Sequence, residues 1–175
     1  MITSTTIDTD VILPLLQKVT VFSGFSEEQI RNICKKCSFI NAVAGDTIIE
    51  EKKPATEILI LLKGKVTIVL GLHENPFELV EFGPGNCIGE TSVIGIQEHS
   101  ASVVAKENTT LLVLSRQVLM DIFETDKSLF SLLILNIARE LARRLHRTDK
   151  IILHYGKHDN QHHPVMTEFE HQGAQ

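Results

Sequence analysis

The middle of the chain breaks into short runs rich in Val, Ile and Leu: residues 38–43, 47–50, 57–62, 65–70, 78–82, 101–106 and 110–114. Each is too short for a helix that could bury a useful stripe, and the spacing between runs is that of an all-β fold. Gly45-Asp46, Lys63-Gly64, Gly83-Pro84-Gly85 and Glu107-Asn108 separate them, with Gly where the backbone must take positive φ. These residues predict an antiparallel β-sandwich or barrel over about 38–115.

Outside that region the apolar period becomes helical. Ser26-Glu-Glu-Gln29 ahead of Ile30 and Ile33 has the spacing of a capping box, so a helix is expected from there into Cys37, with another over about 11–18. Ser115 can cap a short helix carrying Val118, Leu119, Ile122 and Phe123. Thr125 or Asp126 can open a much longer one, reaching about Tyr155. Within it Ile134, Ala138, Leu141, Leu145, Thr148, Ile152 and Tyr155 recur at alternating steps of four and three, a heptad stripe. Such a stripe either packs inside the molecule or pairs with a second copy. Arg143, Arg144, Arg147 and Lys150 flank its later half, which favours a parallel homodimer through 134–155.

With 175 residues, 43% hydrophobic and 22% charged, the chain is expected to form one packed domain over 16–155. An N-terminal segment (1–15) precedes it and a flexible His-containing tail (156–175) follows. A net charge of −5 gives no overall attraction to nucleic acid or anionic membrane. No Lys or Arg precedes Lys18, and Asp8, Asp10 and Pro14 interrupt the early apolar runs, so neither a secretory signal nor a spanning helix is expected. Three cysteines make no disulfide framework, and the expected location is cytoplasmic.

One stretch points to chemistry. In "CIGETSVIGIQEHSASVVA", residues 87–105, a Gly-Glu step leads into small hydroxyl residues. Such a step offers backbone N–H groups and one strong acceptor, suited to a ligand with an anionic group and a sugar hydroxyl. A plain glycine turn between strands is the alternative.

The segment from about Leu16 to Lys150 resembles the cyclic nucleotide-binding domain family. "FSGFSEEQI" resembles its entry helix, "AGDTIIEE" and "LLKGKV" its strand-and-glycine pattern, and "FGPGNCIGETSVIG" with "HSASVVA" its phosphate-binding cassette. The resemblance implies a mainly β fold, an antiparallel jelly-roll barrel (double-stranded β-helix) with N-terminal helices and a long C-terminal helix. It also implies a cyclic nucleotide ligand, cAMP or cGMP, with no cofactor required. Gly89 would admit close backbone approach, Glu90 would accept the ribose 2′-hydroxyl, and the amides at Thr91 and Ser92 would face the cyclic phosphate. His99 stands where the family usually has arginine, followed by Ser100. If His99 takes over the arginine's part, binding strengthens as pH falls from about 8 to 6. Thr148 follows "ARRL" as the family's purine-contacting threonine does, although in a heptad seam it could equally fix register. Lys52 and Ala55 replace the family's turn glycines.

After the long helix too few residues remain for the family's helix-turn-helix, so direct DNA binding is not expected. The implied role is a regulatory sensor, not an enzyme, acting through an unnamed protein partner. Two other readings stay open: a degenerate jelly roll serving as a dimerisation module, and a cupin-like metal enzyme. The second lacks a His-x-His cluster, since the β region offers only His73 and His99. Cys34-Lys-Lys-Cys37 is half a zinc site at most and reads as helix cysteines. The tail histidines, with His154 and His158 four apart, read as adventitious metal binders.

Overall fold

The computed structural model describes residues 1–158, with side chains to residue 153. Met1–Glu140 form one compact unit and a second begins at Leu141, within the last helix. The strands are β1 (Thr3–Thr5), β2 (Ser38–Ala42), β3 (Thr47–Ile49), β4 (Glu57–Lys63), β5 (Val66–Leu70), β6 (Phe77–Phe82), β7 (Cys87–Ile88), β8 (Ser102–Ala105) and β9 (Thr109–Ser115). The helices are α1 (Thr9–Leu16), α2 (Glu27–Cys34), α3 (Glu90–Gly95), α4 (Arg116–Thr125) and α5 (Lys127–His158).

All strand pairs are antiparallel, in a five-stranded sheet of order β1-β2-β9-β4-β7 and a four-stranded sheet of order β3-β8-β5-β6. The jelly roll is thus two facing sheets, with no closed barrel. β4 and β5 adjoin in sequence yet lie in different sheets, so the chain must turn sharply at Gly64. Its φ of +89° and the 2.5 Å that would separate an added Cβ from Thr109 Oγ1 leave no other residue comfortable there.

The core follows from strand alternation. Leu59, Leu61, Ile88, Leu111 and Val113 from the first sheet meet Ile49, Val66 and Val103 from the second. The intervening residues Ile58, Ile60, Leu112 and Leu114 are buried too, because α4 packs on β9 and α3 on β4. Strands covered on both faces read as the near-continuous apolar runs seen in β4 and β9. Burying such a side chain stabilises by about 1.5–3 kcal/mol.

The starts of α2, α4 and α5 are the expected ones, while α1 begins at Thr9, ahead of the expected 11, with Asp8 as its cap. Ser26 Oγ accepts from Gln29 N at 3.2 Å while Gln29 Oε1 accepts from Ser26 N at 2.8 Å. Ser115 Oγ accepts from Val118 N, and Asp126 Oδ1 from Leu129 N, which opens α5. Early in α5, Leu133, Asn136 and Ile137 are buried, and Asn136 Nδ2 donates to the carbonyls of Val21 and Ser23, holding the short 3-10 turn Thr20–Phe22. α2 stops at Cys34 instead of running into Cys37, whose N–H closes a turn onto the Cys34 carbonyl. Two strands went unanticipated, β1 inside the segment 1–15 and β7 of two residues. Both are too short to show a period.

From Leu141 on, α5 exposes its stripe: Leu145 and Ile152 are each 63% exposed. The side chains of His154, Tyr155 and His158 lie outside the described residues, as does the tail anticipated over 156–175 apart from the helix backbone to His158. No helix of the described residues is long and apolar enough to cross a membrane.

Candidate functional site

His99, on the segment between β7 and β8, lines a cleft of about 200 Å³ together with Ile49, Glu50, Lys53, Thr56 and Glu57, while Gly89 stands beside it. β7 ends at Ile88, and Gly89 at φ +85° reverses the chain into α3. An added Cβ at Gly89 would stand 2.8 Å from the Glu57 carbonyl oxygen and 3.6 Å from His99 Cε1. The position therefore demands glycine on conformational and steric grounds, and it lies beside His99.

α3 begins at Glu90, and its first internal bond runs from Val93 N to the Gly89 carbonyl at 3.0 Å. The preceding amides, at Glu90, Thr91 and Ser92, belong to the open end of the turn, where an anion is favoured. Glu90 is 1% exposed, Ser92 is buried, and Thr91 and Ser100 are exposed. Ser92 also accepts, through its carbonyl, the Gln97 N–H that ends the turn.

The β3–β4 loop is laced to the other side of this segment. Lys52 N–H donates to the His99 carbonyl at 2.8 Å, His99 N–H donates to the Lys53 carbonyl at 2.9 Å, and Pro54 bridges to Glu98. Lys52 takes φ +65° although it is not glycine, so the altered loop keeps a left-handed turn. Arg116, the first residue of α4, reaches back with its guanidinium to the carbonyls of Ala55 and Val93, at 3.1 and 3.4 Å. Burial of the imidazole holds the His99 pKa below its ordinary value. At pH 7 it is a neutral donor and acceptor rather than a cation.

The structure thus brings Gly89, Glu90 and His99 to one place, with Thr91, Ser92 and Ser100 on the same short segment. Thr148 belongs to the second unit, where its hydroxyl donates to the Arg144 carbonyl at 3.1 Å. Reading the sequence alone missed Glu50, Lys53 and Glu57 as cleft residues and Arg116 as the tie between loop and α3. "EEKKP" could have been noticed as a charged loop, but nothing in its pattern says which side chain turns inward.

Burial pushes the Cys34 and Cys37 thiols up to about 11 and about 12, so in the metal-free protein both stay protonated near neutrality. Among the described residues no group of three or more His, Cys, Asp and Glu is placed to hold a metal ion.

A two-sheet jelly roll with a glycine–glutamate turn opening a short helix above a polar cleft defines a ligand-binding sensor domain. The family model "cyclic nucleotide-binding domain" matches residues 39–126, half the chain, and the chain belongs to that family. The fold is similar to a cyclic nucleotide-binding domain from Methylobacillus flagellatus, with TM-score 0.81 and 22% identity, covering 94% of this chain and 92% of that one. It is also similar to the catabolite activator protein of Thermus thermophilus, with TM-score 0.68 and 27% identity over 78% of this chain and 63% of that one. Over 104 residues the chain is 28% identical to the cGMP-dependent protein kinase of Plasmodium berghei, covering 59% of this chain. It spans only 24% and 12% of the curated relatives it matches.

Proposed function

We propose that this chain is a cytoplasmic regulatory sensor that binds a cyclic mononucleotide, cAMP or cGMP, in the cleft beside Gly89. The observation that carries the reading is Gly89 at φ +85°, placing the start of α3 and the buried Glu90 against the His99 wall. In that arrangement Glu90 holds the ribose 2′-hydroxyl, the amides at Thr91 and Ser92 with the Ser100 hydroxyl hold the cyclic phosphate, and Thr148 meets the base. A ligand that touches both the cleft and α5 favours the state in which the two are close, so binding is transmitted through that helix. The exposed stripe on α5 supports a parallel homodimer through 134–155, with output passed to a protein partner rather than directly to DNA.

A second reading, a domain that has lost its nucleotide and serves as a dimerisation module, is favoured by one observation. Two carboxylates, Glu50 and Glu57, line the cleft opposite a histidine that burial keeps neutral. Calorimetric titration with a panel of cyclic mono- and dinucleotides separates the two: saturable micromolar binding of one cyclic mononucleotide upholds the sensor, and silence across the panel leaves the dimerisation module.

A further inference from the structure

We infer that Lys53 supplies the positive charge of the cleft and sets its preference for a phosphate monoanion, the part that a long basic side chain at position 99 would otherwise play. This rests on the nucleotide reading above and specifies how that site handles charge.

The cleft's ionisable lining comes from every side. Glu50 follows β3, Lys53 sits in the β3–β4 loop, Glu57 opens β4 and His99 stands between α3 and β8. With the imidazole neutral, the charged residues of the lining are two glutamates and one lysine. Replace Lys53 by a neutral residue and the lining carries only negative charge, which repels an anion in a partly dehydrated cleft. Glu50 has a second neighbour outside the cleft, His73 Nε2 at 3.6 Å on the β5–β6 loop.

Of the other cations on these segments, Arg116 is committed and Lys52 is not among the cleft's lining. The Arg116 guanidinium donates to the Ala55 and Val93 carbonyls. Lys52 does not line the cleft and occupies the left-handed turn. Lys53 makes no ion pair with any described residue.

Position is fixed as well as charge. The His99 N–H to Lys53 carbonyl bond and the Lys52 N–H to His99 carbonyl bond lock the loop against the cassette. The root of the Lys53 side chain is therefore held one hydrogen-bonded step from His99. A four-carbon stem from that root carries a compact ammonium, which selects for charge with less demand on orientation than a guanidinium fork.

The test is calorimetry of cAMP and cGMP with the unmodified protein, Lys53→Met, Lys53→Arg and His99→Gln, each checked for folding by circular dichroism. At pH 8, Lys53→Met is expected to weaken binding by about tenfold or more and to flatten its salt dependence. Lys53→Arg stays within about threefold, and His99→Gln, at a residue of the same cleft, costs less than Lys53→Met at that pH. The inference is overturned if Lys53→Met binds within about twofold of the unmodified protein, or if His99→Gln alone causes the tenfold loss. Should the unmodified protein bind no cyclic nucleotide, the nucleotide reading fails by itself. Lys53 is then judged with inorganic phosphate, followed by its phosphorus resonance: saturable broadening that Lys53→Met abolishes upholds the cation, and equal spectra for both proteins refute it.

Discussion

His99 and Lys53 are joined through their main chains, the His99 N–H donating to the Lys53 carbonyl at 2.9 Å while the neighbouring Lys52 N–H returns a bond to the His99 carbonyl at 2.8 Å. This reciprocal pair makes the β3–β4 loop and the cassette one wall. It also half-buries the imidazole, and that burial lowers its pKa.

The acid dependence of stability follows from that shift. Folded His99 has the lower pKa, so as pH falls the unfolded chain takes the proton first. Its contribution is fully present above the unfolded value of roughly 6.5 and is lost as pH falls from there through the folded value. Urea midpoints between pH 5 and 8 are expected to show this acid-side loss, and His99→Gln is expected to reduce it. Any strengthening of cyclic nucleotide binding by protonated His99 is likewise displaced toward the acid side of where an ordinary imidazole would give it.

Gly89→Ala is expected to destabilise the domain by about 1–3 kcal/mol, since a left-handed φ and a 2.8 Å approach to the Glu57 carbonyl are both imposed on the new methyl group. Chemical denaturation measures it. A change below about 0.5 kcal/mol would show that the turn relaxes freely.

Glu90→Ala is expected to abolish or weaken cyclic nucleotide binding by at least about tenfold, the size of one charge-assisted hydrogen bond. Calorimetry on protein shown to be folded reads this directly. Binding unchanged from the unmodified protein would remove Glu90 from the site.

Arg116→Met leaves the Ala55 and Val93 carbonyls without the guanidinium that joins loop to α3. The expected cost is about 1–3 kcal/mol in unfolding free energy, with faster amide exchange in residues 52–56 and 90–96. Exchange that stays at the unmodified rate in both segments contradicts the tie.

Leu145→Glu concerns assembly. Leu145 is 63% exposed, so the substitution is expected to leave unfolding of the unit Met1–Glu140 unchanged while converting dimers to monomers. Light scattering at micromolar concentration decides the point. A monomeric unmodified protein ends the proposal of a seam through 134–155.

Much of the fold is legible in the sequence. Apolar runs closed by Gly64, Gly83 and Gly85 marked β4, β5 and β6 to within a residue or two, because strand length and turn chemistry are local properties. The caps at Ser26 and Ser115 were readable for the same reason: a cap bonds an amide three residues away. β1 and β7 were not, since each exists only through pairing with a distant partner, β1 with β2 and β7 with β4.

The site divides along the same line. Gly89 and Glu90 announce themselves in sequence because the turn needs glycine and the helix starts at the very next residue. The sequence by itself thus determined the longer strands, the caps at Ser26 and Ser115 and the Gly89–Glu90 turn, all products of interactions spanning a few residues. Only the tertiary structure decided that Glu50, Lys53 and Glu57 share a cleft with His99 some forty positions away, and that burial keeps that histidine neutral. Charge balance in a cleft depends on which distant side chains meet and how much water they lose, and neither quantity is a property of any one stretch of chain.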